Sequence, residues 1–263
     1  MVGSWFRRIE ECVLCFAANL FPRGQWPCGF DANEENTMKL RMKEQISIRI
    51  VALLGLAFLV FLAPRVDAVV VDIPDEALEA YLRERLGIGA SDPITDTALA
   101  GLRGIDARNR GITELRGLEY CVNLDGLMIG QNNISDLRPL SGLTKLDELL
   151  LFDNNISDIS PLARLTKLTQ LTIYQNNITD IRALSGLTSL QSLDLEFNNI
   201  SNINALSGLI NLRYIVLGWN YITDIQPLVD NPGLNAATVE LEGNPLKNKA
   251  INIDIPILMS SSL

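Results

Sequence analysis

The sequence predicts a repeat solenoid of the α/β class, with one parallel β-sheet on one side and short helical or 3₁₀ segments on the other. Three observations predict it. A Leu recurs every 22 residues through six consecutive units, at residues 102, 124, 146, 168, 190 and 212. Counting that Leu as position 1, apolar residues alternate at positions 4 and 6, which is the period of a strand with one buried face. Asn occupies position 9 in five successive units.

The second half of each unit is expected to form a short helical or 3₁₀ segment. Ile stands at position 11 in all six units, and positions 14, 17 and 20 are almost always Leu or Ile. Apolar residues spaced by three suit the inner side of a helical turn. One unit cannot bury all of these positions alone, so stacked neighbours must complete the core.

The Asn at position 9 is predicted to point inward at the sharp turn after each strand. A buried amide there can satisfy backbone donors and acceptors that face the core. Arg110 replaces it in the first unit, which is therefore expected to be less regular. The five residues are Asn132, Asn154, Asn176, Asn198 and Asn220.

The repeat resembles a known family. The third unit, with Leu146, Leu149, Leu151, Asn154 and Ile156 at fixed spacing, is similar to the bacterial internalin-type 22-residue leucine-rich repeat. The resemblance covers residues 102–233 as six repeats. It implies a leucine-rich-repeat horseshoe, with a concave parallel β-sheet and a convex side of short segments.

Residues 69–101 are predicted to form a helical N-terminal cap over the first repeat. An amphipathic helix is expected from Ile73 to Leu86, with Pro74 in its first turn and Gly87 ending it. A second short helix is expected from Thr95 to Leu99.

Residues 234–263 are interpreted as an atypical C-terminal repeat and cap. This stretch begins as a seventh strand, with two extra residues before Asn244. The resemblance supports this interpretation, because the stretch is similar to the terminal repeats of secreted bacterial members.

The first 68 residues have the layout of an export signal. The fifteen uncharged residues 50–64 follow a basic stretch and would span about 22 Å as a helix, less than the roughly 30 Å of a hydrocarbon core. Residues 38–68 are therefore interpreted as a signal peptide cleaved after Ala68, and residues 1–37 as a doubtful extension. Translation could start at Met1, Met38 or Met42. The alternative is a short, uncleaved membrane anchor.

Composition argues against several function classes. His is absent, which excludes His-dependent triads, HExxH zinc sites and imidazole bases. A net charge of −9 opposes nucleic-acid binding. Neither a metal site nor a cofactor is expected, because no cluster of ligands has a suitable spacing. Cys121 stands where Leu is usual and is interpreted as a core residue. The chain is therefore not expected to be an enzyme.

Positions 3, 5, 7 and 8 of each unit are predicted to face solvent on the sheet, where aromatic and acidic residues are unusually frequent. Such a mixture is typical of surfaces that bind a protein or peptide. Phe152 should lie beside Tyr174, and Phe197 beside Trp219, because each pair shares a position in adjacent units. The predicted partner-binding residues are Phe152, Tyr174, Phe197, Tyr214, Trp219, Met128, Leu150, Glu148, Asp153, Asp194 and Glu196.

Two functions remain open at this point. The sequence favours an exported, non-enzymatic protein that binds a protein or peptide. The resemblance implies that this partner binds on the concave side, as partners of internalin-like proteins do. The alternative is a structural cell-surface protein or a self-associating scaffold protein that stacks through its C-terminal end. Independently of that choice, the aromatic residues could simply stack on each other and stiffen the sheet. In neither case is the mature chain expected to insert into a membrane.

Overall fold

The sheet is built from three-residue strands that repeat along the chain. The computed structural model describes residues 68–234 and 237–247, so the predicted extension, almost all of the predicted signal peptide and residues 248–263 lie outside the described residues. The seven strands of the described part are β1 (Gly104–Asp106), β2 (Gly126–Met128), β3 (Glu148–Leu150), β4 (Gln170–Thr172), β5 (Ser192–Asp194), β6 (Tyr214–Val216) and β7 (Thr238–Glu240).

All seven strands are parallel, and their order in the sheet is their order in the chain. Neighbouring strands pair residues that are 22 apart, as Leu127 does with Leu149. The last pair differs, because Ile215 pairs with Val239 across two extra residues. Equal positions of successive units therefore lie side by side across the sheet.

Short 3₁₀ segments and one helix form the opposite side of the solenoid, as predicted. Each segment turns a buried Leu towards the strands, and Pro is the second residue of three of them. The 3₁₀ segments are Leu118–Tyr120, Arg138–Leu140, Ser160–Arg164, Arg182–Gly186 and Asn204–Leu206, and the helix is α3 (Gln226–Val229). The core between these segments and the sheet consists almost entirely of fully buried Leu and Ile.

The buried Asn at position 9 links each turn of the solenoid to the turn before it. Asn176 accepts a hydrogen bond at Oδ1 from the Ile156 N–H (2.9 Å) and donates from Nδ2 to the carbonyl oxygens of Leu151 (3.1 Å) and Ile173 (3.2 Å). The other four position-9 Asn residues repeat this pattern, and Asn244 continues it in the seventh unit. The predicted ladder of inward-pointing amides is confirmed.

The N-terminal cap contains two helices, α1 (Glu76–Leu86) and α2 (Asp96–Leu99). Both predicted helices are confirmed, with one difference at the start of the first. Asp75 is the N-cap of α1, so Pro74 lies before the helix and not in its first turn. The reason is that the Asp75 side chain accepts the Leu78 N–H (2.9 Å), a favourable way to satisfy a free helix N–H. Gly87 ends α1 in the left-handed conformation (φ 66°).

Asp75 also joins the cap to the first repeat. Its Oδ2 accepts hydrogen bonds from the Thr113 N–H (2.7 Å), the Thr113 hydroxyl (2.9 Å) and the Glu114 N–H (3.1 Å). Burial by itself raises the pKa of this carboxyl, but these hydrogen bonds, with the one from Leu78, bring the pKa below its ordinary value. The cap and the repeats therefore share one buried, ionised carboxylate.

No helix within residues 68–234 and 237–247 is long and apolar enough to cross a membrane. The predicted signal segment, including residues 50–64, is not covered by this statement, because it precedes the described part.

Candidate functional site

The solvent-exposed surface of the parallel sheet carries all of the predicted partner-binding residues. We call this surface the sheet face and define it as positions 3, 5, 7 and 8 of the units that contain β2 to β7. Positions 3 and 5 lie within the strands, and their side chains are on the opposite face of the sheet from the buried side chain at position 4. Positions 7 and 8 follow each strand at the start of the inward turn.

The predicted residues differ in how far they are exposed. Phe197, Tyr214 and Trp219 are exposed to between 43% and 49%, and Asp153 is exposed as well. The half-buried ones are Met128, Glu148, Leu150, Phe152, Tyr174, Asp194 and Glu196.

Phe152 and Tyr174 form the first aromatic pair on the sheet face. Their rings are stacked, with centroids 5.0 Å apart and planes at 10°. A Cβ added to Gly130 would lie 2.6 Å from Cε1 of Phe152, so the ring of Phe152 extends over a position that only glycine leaves free. The row at position 7 therefore runs from Gly130 through two stacked rings.

Phe197 and Trp219 form the second aromatic pair, at position 8 of their units instead of position 7. Their ring centroids are 5.7 Å apart and their planes are at 7°. The Trp219 ring lies close to Gly243, where an added Cβ would be 2.6 Å from Cδ2 of the indole. Both predicted aromatic contacts are thus confirmed.

Position 8 has an unusual backbone. Every unit from β1 to β6 has a positive φ there, and most of the residues that adopt it are polar: Asn109, Gln131, Asp153 and Gln175. Phe197 and Trp219 adopt the same conformation, with φ values of 51° and 52°. For bulky residues this left-handed conformation is rare and costs about 1–2 kcal/mol each.

Four carboxylates lie around β6 at one end of the sheet face. Asp194 on β5 pairs across the sheet with Val216, which pairs with Glu240 on β7. Two residues further along each strand, Glu196 and Glu242 occupy position 7 on either side of Gly218. We call Asp194, Glu196, Glu240 and Glu242 the acidic patch. Val216 and Gly218 between them are buried.

Two members of the acidic patch, Asp194 and Glu196, have pKa values raised above their ordinary values. Burial raises the pKa of Asp194, and Glu240 adds to this, although the Glu196 N–H bound to Asp194 Oδ1 (3.1 Å) opposes it. Burial also raises the pKa of Glu196, together with the charges of Asp194, Glu240 and Glu242. Glu196 is therefore close enough to the other three carboxylates to be repelled by them, and Asp194 is close enough to Glu240.

Two tyrosines face the same negative charge. Burial raises the pKa of Tyr174, and Asp194, Asp153 and Glu196 raise it further. The Tyr214 hydroxyl donates to Glu240 Oε1 at 3.3 Å. Aromatic and acidic side chains thus form one continuous region across β4 to β7.

The sheet face is too long for a small ligand to contact all of it. Met128 pairs with Leu150 at one end, whereas Trp219 follows β6, four strands away from β2. At about 4.8 Å between strands, this separation is roughly 19 Å. Only an extended or macromolecular partner could contact both ends.

Glu240 and Glu242 are members of the acidic patch that the sequence analysis missed. The signal was present, because Asn244 fixes the count within the seventh unit and places these residues at positions 5 and 7. Gly130, Gly218 and Gly243 were missed too, since their contribution is the absence of a side chain beneath Phe152, Glu196 and Trp219.

Cys121 is fully buried, as its interpretation as a core residue requires. Burial, with the charge of Glu119, raises the pKa of its thiol to about 12. Its thiolate form is therefore negligible at neutral pH. Within the described ranges, no three His, Cys, Asp or Glu side chains are placed to hold a metal ion.

Comparison with known proteins agrees with this architecture. The family model for leucine-rich repeats in two copies matches residues 144–186 and 188–230. The structure of internalin C2 from Listeria monocytogenes is 31% identical to this chain, with a TM-score of 0.52, and the match covers 68% of this chain and 90% of that one. The chain belongs to the internalin family of leucine-rich-repeat proteins.

Two further Listeria monocytogenes internalins share the fold. Internalin InlF is 24% identical with a TM-score of 0.54, over 67% of this chain and 65% of that one. The functional domain of InlJ, described as including a cysteine ladder, is 26% identical with a TM-score of 0.52, over 65% of this chain and 41% of that one. This internalin thus spans less than two thirds of either structure. None of the curated proteins is similar to it.

Proposed function

We propose that this internalin is an exported, non-enzymatic binding protein that holds a protein or peptide partner on its sheet face. The observation that carries the proposal is the pair of stacked aromatic contacts on a solvent-exposed sheet, Phe152 with Tyr174 and Phe197 with Trp219. Exposed aromatic side chains beside charged ones are the usual composition of the energetically important part of a protein interface.

The backbone at position 8 argues against a purely structural role for these rings. A stacked aromatic pair contributes about 0.5–1.5 kcal/mol beyond its burial. Placing Phe197 and Trp219 in the left-handed conformation costs about 1–2 kcal/mol for each residue. The backbone strain therefore offsets the stacking energy of the second pair, which favours a role outside the folded chain.

A random twelve-residue peptide library displayed on phage, selected on the full chain, tests this function. We expect selected peptides to lose binding to the variants Phe152→Ala and Phe197→Asn/Trp219→Asn. The matched control is Tyr120→Ala/Tyr221→Ala, which removes two exposed aromatic residues outside the sheet face and should leave binding unchanged. Failure to select any peptide, or equal loss in the control, would contradict the proposal.

The alternative scaffold function predicts self-association through the C-terminal end of the chain. Sedimentation velocity of the full chain should then show assemblies that a variant ending at Pro245 lacks. A monomer in both cases supports binding of a different partner.

The geometry of the cap is compatible with cleavage after Ala68. Val69 N–H donates to Asp96 Oδ1, Asp96 N–H donates to the Val69 carbonyl, and Val71 N–H donates to the Ile94 carbonyl. These contacts all begin beyond the predicted cleavage site, so removal of the preceding segment would leave them intact. Export is tested by N-terminal sequencing of protein recovered outside the cell, which should begin at Val69.

A further inference from the structure

All charged residues of the sheet face are acidic. From the unit of β2 to the unit of β7, its positions contain no Lys or Arg but six acidic residues, Glu148, Asp153, Asp194, Glu196, Glu240 and Glu242. The net charge of the face is therefore strongly negative at neutral pH. Such a surface attracts a partner of opposite charge and repels acidic ones.

The acidic patch lacks the cationic partners that acids elsewhere in the chain have. Asp106, Asp136 and Asp180 each bind an Arg two residues away, at 2.6–2.7 Å. No member of the acidic patch forms an ion pair within the described residues. No cationic side chain in this part of the protein therefore compensates the repulsion among its carboxylates.

Aromatic side chains border the patch on both sides along β6. Tyr214 precedes Val216 and is 43% exposed, while Trp219 follows Gly218 and is 49% exposed. Carboxylates accept paired hydrogen bonds from a guanidinium group, and aromatic rings attract the same group through their π-electrons. An Arg side chain can bind both the carboxylates and the aromatic rings. An acidic or purely apolar side chain can neither neutralise the negative charge nor donate hydrogen bonds to the exposed carboxylate oxygens.

The spread of the carboxylates favours a polypeptide over a metal ion. Asp194 and Glu240 lie on strands that flank β6, which places their strands about 9–10 Å apart. A single cation contacts its oxygen ligands at 2.3–2.6 Å and so requires them to converge. A chain with several basic side chains can instead reach carboxylates on separate strands.

We infer that the partner of this internalin presents an arginine-bearing basic segment that lies across β5 to β7 and pairs with Asp194, Glu196, Glu240 and Glu242, while its neighbouring side chains contact Tyr214 and Trp219. This inference rests on the proposed function, because it names the chemistry of the partner that the sheet face binds.

The test uses two fluorescein-labelled peptides of twelve residues that differ at four positions, with arginine in one and its uncharged analogue citrulline in the other. Fluorescence anisotropy is measured with the full chain at low and high salt. The arginine peptide is expected to bind at least about tenfold more tightly at low salt, and this advantage should shrink at high salt.

Two variants with equal changes of net charge locate the interaction. Glu196→Gln/Glu242→Gln should weaken binding of the arginine peptide by about tenfold. Asp72→Asn/Glu76→Gln removes two exposed carboxylates of the N-terminal cap and should weaken it less than twofold. Equal weakening in both variants would show general attraction to an acidic protein and would overturn the inference.

The remaining outcomes separate this inference from the proposed function. If library peptides depend on Phe197 and Trp219 but are not enriched in basic residues, the proposed function stands and the basic partner is wrong. If calcium chloride alone gives a heat of binding that Glu196→Gln/Glu242→Gln abolishes, while the arginine peptide does not bind, the patch is a cation site and the inference is again wrong. If no peptide depends on the sheet face, both fail.

Discussion

The indole of Trp219 stacks on the ring of Phe197 although both residues have the left-handed backbone that favours Gly or Asn. The same position is polar in the four preceding units. The fold therefore accepts polar residues here. We expect the two aromatic residues to stabilise the folded state less than Asn would. The proposed contact with a partner would account for their presence.

The first prediction concerns the stability of Phe197→Asn/Trp219→Asn. The variant loses a stack of about 0.5–1.5 kcal/mol but relieves backbone strain of about 1–2 kcal/mol at each position. We expect the free energy of unfolding in urea to change by less than about 1 kcal/mol, or to rise. A loss above about 3 kcal/mol would show that the rings belong to the hydrophobic core.

Much of the fold is predictable because the 22-residue period of the sequence is also the period of the structure. A strict period of 22 residues places equal positions on adjacent strands, so the contacts of Phe152 with Tyr174 and of Phe197 with Trp219 follow from counting. The buried Asn ladder follows in the same way, because an amide at a fixed place between apolar residues needs backbone partners.

Other features depend on backbone and side-chain conformation and escape such counting. The positive φ at position 8 is not evident from Phe or Trp, which rarely adopt it. Glu240 and Glu242 on and after β7 fall outside the 22-residue count because two extra residues precede this strand, so they are placed only by counting back from Asn244. The predicted start of α1 at Ile73 was three residues too early, because Asp75 is the N-cap and the helix begins at Glu76.

The second prediction tests the ladder with a matched pair of Asn residues. Asn176→Ala leaves the buried Ile156 N–H without its partner, at about 1–3 kcal/mol, and removes one of the two amide donors to the Leu151 carbonyl, which keeps Asn154 Nδ2 (3.0 Å). We expect a loss of about 1–3 kcal/mol in chemical unfolding followed by circular dichroism.

The neighbouring residue supplies the control for that experiment. Asn177 is exposed, and it contributes its backbone N–H to the Ile156 carbonyl (2.8 Å), which Ala retains. Asn177→Ala should change the free energy of unfolding by less than about 0.5 kcal/mol. Equal effects of the two substitutions would mean that the ladder does not stabilise the solenoid.

The third prediction concerns the link between the cap and the first repeat. Asp75→Asn keeps a good N-cap for α1 but cannot accept all four of the hydrogen bonds that the carboxylate accepts. We expect a loss of about 1–3 kcal/mol at pH 7, measured by unfolding in urea. Asp72→Asn, an exposed carboxylate in the same cap, should have little effect.

The pH dependence of this loss has a definite sign. The pKa of Asp75 is lowered on folding, so its contribution is complete above the ordinary value of 3.8 and disappears as the pH falls through the folded value. The difference between wild type and Asp75→Asn should stay constant from pH 7 to about pH 5 and shrink below 3.8. A difference that persists unchanged in strong acid would show that the carboxylate charge is irrelevant.

The fourth prediction is that Asp194→Asn stabilises the free protein while it weakens binding of a basic partner. Burial, with the nearby Glu240, raises the pKa of Asp194, so its ionised form is less favourable in the folded state than in the unfolded state. Folding stability from this group therefore falls as the pH rises from the ordinary value of 3.8 through the raised folded value, and it is constant above. The Asn side chain avoids this loss and can still accept the Glu196 N–H through its amide oxygen.

We therefore expect Asp194→Asn to raise the free energy of unfolding at pH 7 by up to about 1 kcal/mol, and to have no advantage at pH 3, where the wild-type carboxyl is protonated in both states. Asp125→Asn, an exposed carboxylate at position 2 and outside the sheet face, makes the same change in net charge and should leave stability almost unaltered. Urea unfolding of the three proteins at both pH values separates the cases. An equal gain from Asp125→Asn would assign the effect to net charge. A loss of stability in Asp194→Asn would mean that the ionised carboxylate is favoured in the folded chain and that the carboxylates of the acidic patch do not repel one another.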